Sequence, residues 1–249
     1  MEIVLLTALG VGGATIFGSL IGFVFKGVSD KFGDIVLAFA AGVMLAASAI
    51  GLILPSLEYG GDYGIVTTVL GMFSGAFLLV LIDKFIPHPK TPVKASEGGC
   101  KASRAEGVML FVLAIGIHNL PEGIAAGVGF GTGDNVRALI IAGGIALQNI
   151  PEGMIIIAPM LSVGIKPIRT FFYAALTGAV DILGTLVGYF AVSVSVAVLP
   201  FALAFAGGTM LYVISEEMIP SACSQNGKAG AFALLFGFCA MLVFDALLG

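Results

Sequence analysis

Eight apolar runs, each close to the ~20 residues needed to cross the hydrocarbon core of a bilayer, occupy most of this 249-residue chain. They fall at about 2–25, 34–57, 63–86, 106–130, 136–161, 170–192, 198–220 and 229–248. With 59% hydrophobic and 10% charged residues, no soluble fold of this length could hide so much apolar surface. Thirty-six glycines and no tryptophan suit close helix packing in lipid. The first run opens Met1-Glu2 with no basic stretch before it, which argues against a cleaved signal. Only Pro87 to Ala105 makes a long connection, rich in proline, lysine, glycine and serine. One transmembrane domain, 1–249, with a flexible loop at about 87–105 is therefore expected. No stretch is basic enough for a nucleic-acid partner; the bilayer is the expected surrounding.

Lysine and arginine placement orients the runs. Numbering the connections alternately puts Lys26, Lys31, Lys84, Lys90, Lys94, Lys101, Arg104, Lys166, Arg169 and Lys228 on one side and Arg137 alone on the other. That asymmetry predicts a multi-pass cell-membrane protein with the 87–105 loop in the cytoplasm and both termini outside.

Polar residues stand where charge is costly unless it serves a purpose. His118-Asn119-Leu120-Pro121-Glu122-Gly123 and Gln148-Asn149-Ile150-Pro151-Glu152-Gly153 lie in the middle of the fourth and fifth runs. Each places a side-chain donor and a glutamate at i and i+4, on one helix face a turn apart. Pro121 and Pro151 release the carbonyls of Ile117 and Leu147 from their helical partners. Two such segments facing one another would gather carboxylates, an imidazole and carboxamides into a cation site. Asp181 falls at the same depth in the sixth run and Met44 near the middle of the second. Glu58 lies at the outer end of the second run, and Glu216 and Glu217 toward the cytoplasmic end of the seventh. Asparagine and glutamine alone could be hydrogen-bonding glue between helices. Two glutamates, an aspartate and a histidine at one depth exceed that need.

A second repetition links Ala38-Phe-Ala-Ala-Gly-Val-Met-Leu45 with Ala204-Phe-Ala-Gly-Gly-Thr-Met-Leu211, identical at six of eight positions. The second and seventh runs point in opposite directions, so the match predicts an inverted repeat, a common plan for alternating-access carriers.

The paired motifs, with Ala40–Leu45 and Ser215-Glu216-Glu217-Met218-Ile219-Pro220, resemble the ZIP (Zrt/Irt-like) family of divalent-metal transporters, prokaryotic type. The resemblance covers all eight runs. It implies an all-α integral membrane fold of eight helices in a 3+2+3 arrangement, helices 1–3 repeating as 6–8, with the site between helices 2, 4, 5 and 6. It implies import of divalent transition metals, Zn2+ foremost and Fe2+, Mn2+, Cd2+ or Co2+ besides. By position, one ion would be held by Met44, His118, Glu122, Gln148 and Glu152. A neighbouring ion would use Asn119, Glu122, Asn149, Glu152 and Asp181, both glutamates bridging. Glu58, Glu216 and Glu217 are secondary candidates, the last two as a release station. No prosthetic group or catalysis is expected, and homodimers are frequent in the family. Where many relatives carry a histidine-rich loop, this chain has only His88 and, nearby, Cys100.

Two other functional classes compete with this reading. A zinc hydrolase of the His-Glu-x-x-His type needs two helical histidines, and only His118 lies within a run. A metal-selective channel or sensor could use the same ligands, and transport kinetics discriminate it. Cys100, Cys223 and Cys239 form no disulfide pattern.

Overall fold

The computed structural model describes residues 1–25, 30–85, 101–220 and 227–248, and all the described secondary structure is helical. Among the described residues, eight helices are long and apolar enough to cross a membrane. In chain order, α1 is Glu2–Val24, α3 Gly64–Phe85, α4 Lys101–Gly129, α5 Asn135–Ser162, α6 Pro167–Val194 and α8 Lys228–Leu248. Two helices change hydrogen-bond register midway. α2 runs Asp30–Ala46, widens into a π-helical stretch at Ala47–Ile53 and continues over Leu54–Tyr59. α7 runs Leu199–Val213 into a π-helical stretch at Ile214–Met218.

Helix ends follow local chemistry. The Asp134 carboxyl accepts from the backbone N–H groups of Val136 and Arg137 and caps α5. At the other end Ile165 N–H reaches back to the Met160 carbonyl while Gly164 takes φ +86°, a conformation that costs glycine no Cβ clash. Pro167 then starts α6 at a position where its missing N–H is no loss. α2 and α4 begin earlier than the apolar runs, at Asp30 and Lys101, because their polar first turns are helical without being hydrophobic. The predicted 87–105 loop thus gives up its last five residues to α4. Its remainder lies outside the described residues, as do His88, Cys100 and Cys223.

Packing pairs the helices regularly. α1 lies along α5 and α4 along α6; α3 lies along α7 and α2 along α8. α1 also meets α6, α4 meets α5, α2 meets α5 and α4 meets α7. Without a hydrophobic driving force between helices in lipid, close approach depends on small residues. A Cβ at Gly12 or Gly178 would strike the facing helix's backbone across α1 and α6, and Gly18 and Gly22 sit likewise on Ile150 and Met154 of α5. Gly184 and Gly188 sit on Leu120 and Ile124 of α4. Gly42 and Gly237 join α2 to α8, and Gly75 and Gly208 join α3 to α7. These backbone approaches fall within two sets, α1/α4/α5/α6 and α2/α3/α7/α8. Between the sets the glycines whose surroundings are described meet only side chains, as Gly51 meets Ile141 and Gly144 meets Met241.

Candidate metal centre

One carboxyl oxygen organises the middle of the bundle. Asp181 Oδ2, on α6, accepts from Asn119 Nδ2 of α4 at 3.0 Å, Asn149 Nδ2 of α5 at 3.1 Å and Thr15 Oγ1 of α1 at 3.1 Å. Each asparagine also donates to a peptide carbonyl, Asn119 to Thr177 at 3.2 Å and Asn149 to Val11 at 3.3 Å. A carbonyl only accepts, so these bonds decide which end of each amide faces its neighbour helix. Both Asn Oδ1 atoms must then face elsewhere.

Those oxygens have company. Asn119 Oδ1, Asn149 Oδ1, Asp181 Oδ1, Glu122 Oε1 and Oε2, and Gln148 Oε1 and Nε2 are all buried without a hydrogen-bond partner of good geometry. Glu122 lies within electrostatic reach of Glu152 and Asp181, beside Gln148, and Glu152 within reach of Asp181. A buried polar atom left unpartnered costs about 1–3 kcal/mol, so a cluster of this size is expensive unless something completes it. Six of these seven atoms are oxygens, the donor type that suits a divalent cation, and the set fits one. Among the described residues no three His, Cys, Asp or Glu side chains converge as a preformed metal cage; carboxamide oxygens lie among the carboxyls here.

The cluster is buried almost throughout. His118 and Glu152 are 8% and 7% exposed, whereas Glu122 is 1% and Asn119, Gln148, Asn149 and Asp181 are 0% exposed. Along α4 and α5, His118 and Glu152 are the members nearest the lysine-rich end. His118 Nε2 lies 3.5 Å from Glu217 Oε1, on the π-helical stretch of α7. Met44, Ile141, Ile145 and Leu203 belong to one large buried apolar cluster.

The structure thus gathers Asn119, Glu122, Gln148, Asn149, Glu152 and Asp181, with His118 at the rim. Met44 is buried in the adjoining apolar cluster, its carbonyl taking a bond from Ser48 Oγ at 2.8 Å. Glu58 stands apart: fourteen residues on from Met44, roughly 21 Å along a helix, it pairs with Arg137 at 3.7 Å on the surface. Glu217 adjoins the cluster through His118; Glu216 is half-buried beside it in sequence. Reading the sequence missed Thr15, a single hydroxyl in an apolar run. A signal was present. Gly12, Thr15, Gly18, Ser19 and Gly22 correspond to Gly178, Asp181, Gly184, Thr185 and Gly188 at an offset of 166, the same offset that relates Ala38 to Ala204.

Comparison with known proteins points to one family. A family model described as ZIP zinc transporter matches residues 90–245. Zinc transporter ZIPB of Bordetella bronchiseptica is 36% identical over 250 residues, spanning 95% of this chain and 78% of that protein. Zinc transporter GufA of Myxococcus xanthus is 36% identical over 256 residues, 98% of each chain. Zinc transporter ZIP11 of Homo sapiens is 31% identical over 325 residues, 95% of this chain and 94% of that one. With eight membrane-length helices and similarity along nearly its whole length, the chain belongs to the ZIP family of zinc transporters.

Proposed function

We propose that this protein carries Zn2+, and with lower preference Fe2+, Mn2+, Cd2+ or Co2+, across the cell membrane into the cytoplasm through a two-ion site midway along the bundle. One observation carries the reading: the unpartnered oxygens of Asn119, Glu122, Gln148, Asn149 and Asp181 meet in a buried centre away from bulk water. His118, Glu122, Gln148 and Glu152, with the Met44 thioether, would hold one ion. Asn119, Glu122, Asn149, Glu152 and Asp181 would hold the other. Carboxylates supply charge, and carboxamide oxygens bind weakly enough to let a transported ion leave. The excess of lysine and arginine supports an orientation with His118 and Glu152 on the cytoplasmic side of the cluster and both termini outside. In that orientation Glu217 is the first carboxyl an ion leaving past His118 would meet.

Pairing of helices supports the 3+2+3 plan, one membrane domain in which α1–α3 recur inverted as α6–α8. Exchanging α1 with α6, α2 with α7, α3 with α8 and α4 with α5 turns the α1–α5 contact into α6–α4, and α2–α8 into α7–α3. Both π-helical stretches follow the repeated segment, beginning three residues after Met44 and four after Met210. Such a repeat lets two related conformations open the same site to opposite sides.

Flux into proteoliposomes tests the function. Zinc uptake that saturates, with turnover far below channel rates, is expected; ohmic, non-saturating flux would give the channel reading precedence, and no flux at all would remove transport. Alternation has its own test. Ala47 is buried about one turn from Met44, toward the Arg137 end. In a background with Cys100, Cys223 and Cys239 replaced, Ala47→Cys is expected to react with an impermeant thiol reagent from outside only when the site opens outward. Reactivity indifferent to metal and pH would mean a fixed pathway. Gln148→His is expected to tighten zinc about tenfold and slow turnover correspondingly, since a stronger ligand deepens the well an ion must leave. Unchanged affinity and rate would make Gln148 a packing residue.

A further inference from the structure

Thr15 and Asp181 stand in equivalent places about a pseudo-twofold axis. Residues of α1 and α6 correspond at an offset of 166, and the two motifs of α4 and α5 at an offset of 30. The geometry obeys both numbers. Asn119 donates to the carbonyl of Thr177, and Asn149 to that of Val11, residues 166 apart. A Cβ at Gly123 would strike the carbonyl oxygen of Asp181, and one at Gly153 that of Thr15. Gly12 and Gly178 face each other reciprocally. Backbone at 15 and at 181 therefore bears the same relation to the motif it packs against, and only the side chains differ.

Thr15 also departs from what helix hydroxyls usually do. Thr7, Ser48 and Thr185 return their protons to the carbonyl four residues back, as helical hydroxyls commonly do. The equivalent carbonyl for Thr15, that of Val11, is occupied by Asn149, and Thr15 donates across to Asp181 Oδ2 at 3.1 Å. Its residue is fully buried. With three donors on Oδ2, rotation of the Asp181 carboxyl is blocked and Oδ1 is held in the orientation that leaves it unpartnered with the two Asn Oδ1 atoms.

We infer that Thr15 is a positioning residue for the second ion, and that the carboxyl aligning the two asparagines can be supplied from position 15 as well as from position 181. The inference rests on the two-ion reading above. Exchanging the pair keeps one carboxyl and one hydroxyl between the same two amides, with donor and acceptor reversed across the axis.

Titration of the purified full-length protein with Zn2+ and with Cd2+ reads ion number and the affinity of each step. Wild type is expected to bind two ions. Thr15→Val should keep the first ion and weaken the second about tenfold or more, the effect of losing a hydrogen bond to a carboxylate. Thr15→Ser, which retains the donor, should bring the second ion back. Asp181→Thr should bind one ion, and Thr15→Asp/Asp181→Thr should bind two again. A second-ion affinity in Thr15→Val equal to wild type, or a folded exchange variant still limited to one ion, overturns the inference. If the exchange variant does not fold, the Thr15→Val and Thr15→Ser pair decides by itself. A wild type that takes only one ion would overturn the two-ion reading instead.

Discussion

Glu122→Ala and Glu152→Ala are each expected to reach the membrane folded and to lose saturable zinc uptake, by at least about a hundredfold. At an effective dielectric near 20, two unit charges 4 Å apart attract by about 4 kcal/mol, and roughly 1.4 kcal/mol is worth a factor of ten in binding. A lost carboxylate next to a doubly charged ion therefore exceeds a hundredfold, and each glutamate is proposed to serve both ions. Stability should move the other way. Glu122 is 1% exposed and neither carboxyl oxygen has a hydrogen-bond partner of good geometry, so without metal it burdens the fold. Metal-free Glu122→Ala is expected to unfold at the same or a higher temperature than wild type, and added zinc should raise the midpoint of wild type alone. Wild-type uptake by either folded variant would remove the two-motif site; metal-free Glu122→Ala that melts well below wild type would show that the carboxyl has a structural partner.

Comparable losses are expected from one methyl group at the last residue of each motif. A Cβ at Gly123 would overlap the Asp181 carbonyl oxygen, and one at Gly153 the Thr15 carbonyl oxygen. Backbone cannot swing aside like the end of a side chain, so α4 must part from α6, or α5 from α1. Overpacking of this kind costs about 1–3 kcal/mol, occasionally more. For a chain of this size that is a fall of about 3–10 °C in the unfolding midpoint. Because the struck carbonyls belong to Asp181 and Thr15, the same displacement pulls apart the bonds that align Asn119 and Asn149. Gly123→Ala and Gly153→Ala should accordingly lose zinc uptake along with stability. Gly10→Ala and Gly13→Ala are the contrast: nothing lies within 4 Å of a Cβ at either position, and the helix gains a better former. Equal behaviour of all four variants would mean the close approach at the motifs is dispensable.

Hydropathy located all eight helices because a membrane-spanning helix must be apolar for most of its length. It failed where helix and hydrocarbon part company: Lys101 to Glu106 is helical but polar, and the register changes at Ala47–Ile53 and Ile214–Met218 leave no compositional trace. The motif residues were legible because carboxylates and a histidine in hydrocarbon are rare. Thr15 was not, since a lone threonine in a membrane helix commonly satisfies itself. The roles within the cluster also needed coordinates. Sequence proposes Asp181 simply as a ligand, whereas its Oδ2 is already committed to three donors and only Oδ1 is available. Glu58 was legible as an acid at the outer end of the second run, and the structure pairs it there with Arg137.

The division of backbone contacts into two sets bears on what travels. His118, Asn119, Glu122, Gln148, Asn149, Glu152 and Asp181 all belong to α4, α5 and α6, within one set; Met44 alone belongs to the other. Glycine-to-carbonyl interlocks bind each set internally, and across the seam Gly51 and Gly144 touch side-chain atoms that can change rotamer. Sliding along that seam would disturb rotamers while leaving every backbone interlock intact. With the ligands proposed above, the cargo would then ride like a passenger in a car, losing only the Met44 sulfur as it left the stop, and the barrier to transport would be set by the seam rather than by the strength of ion binding.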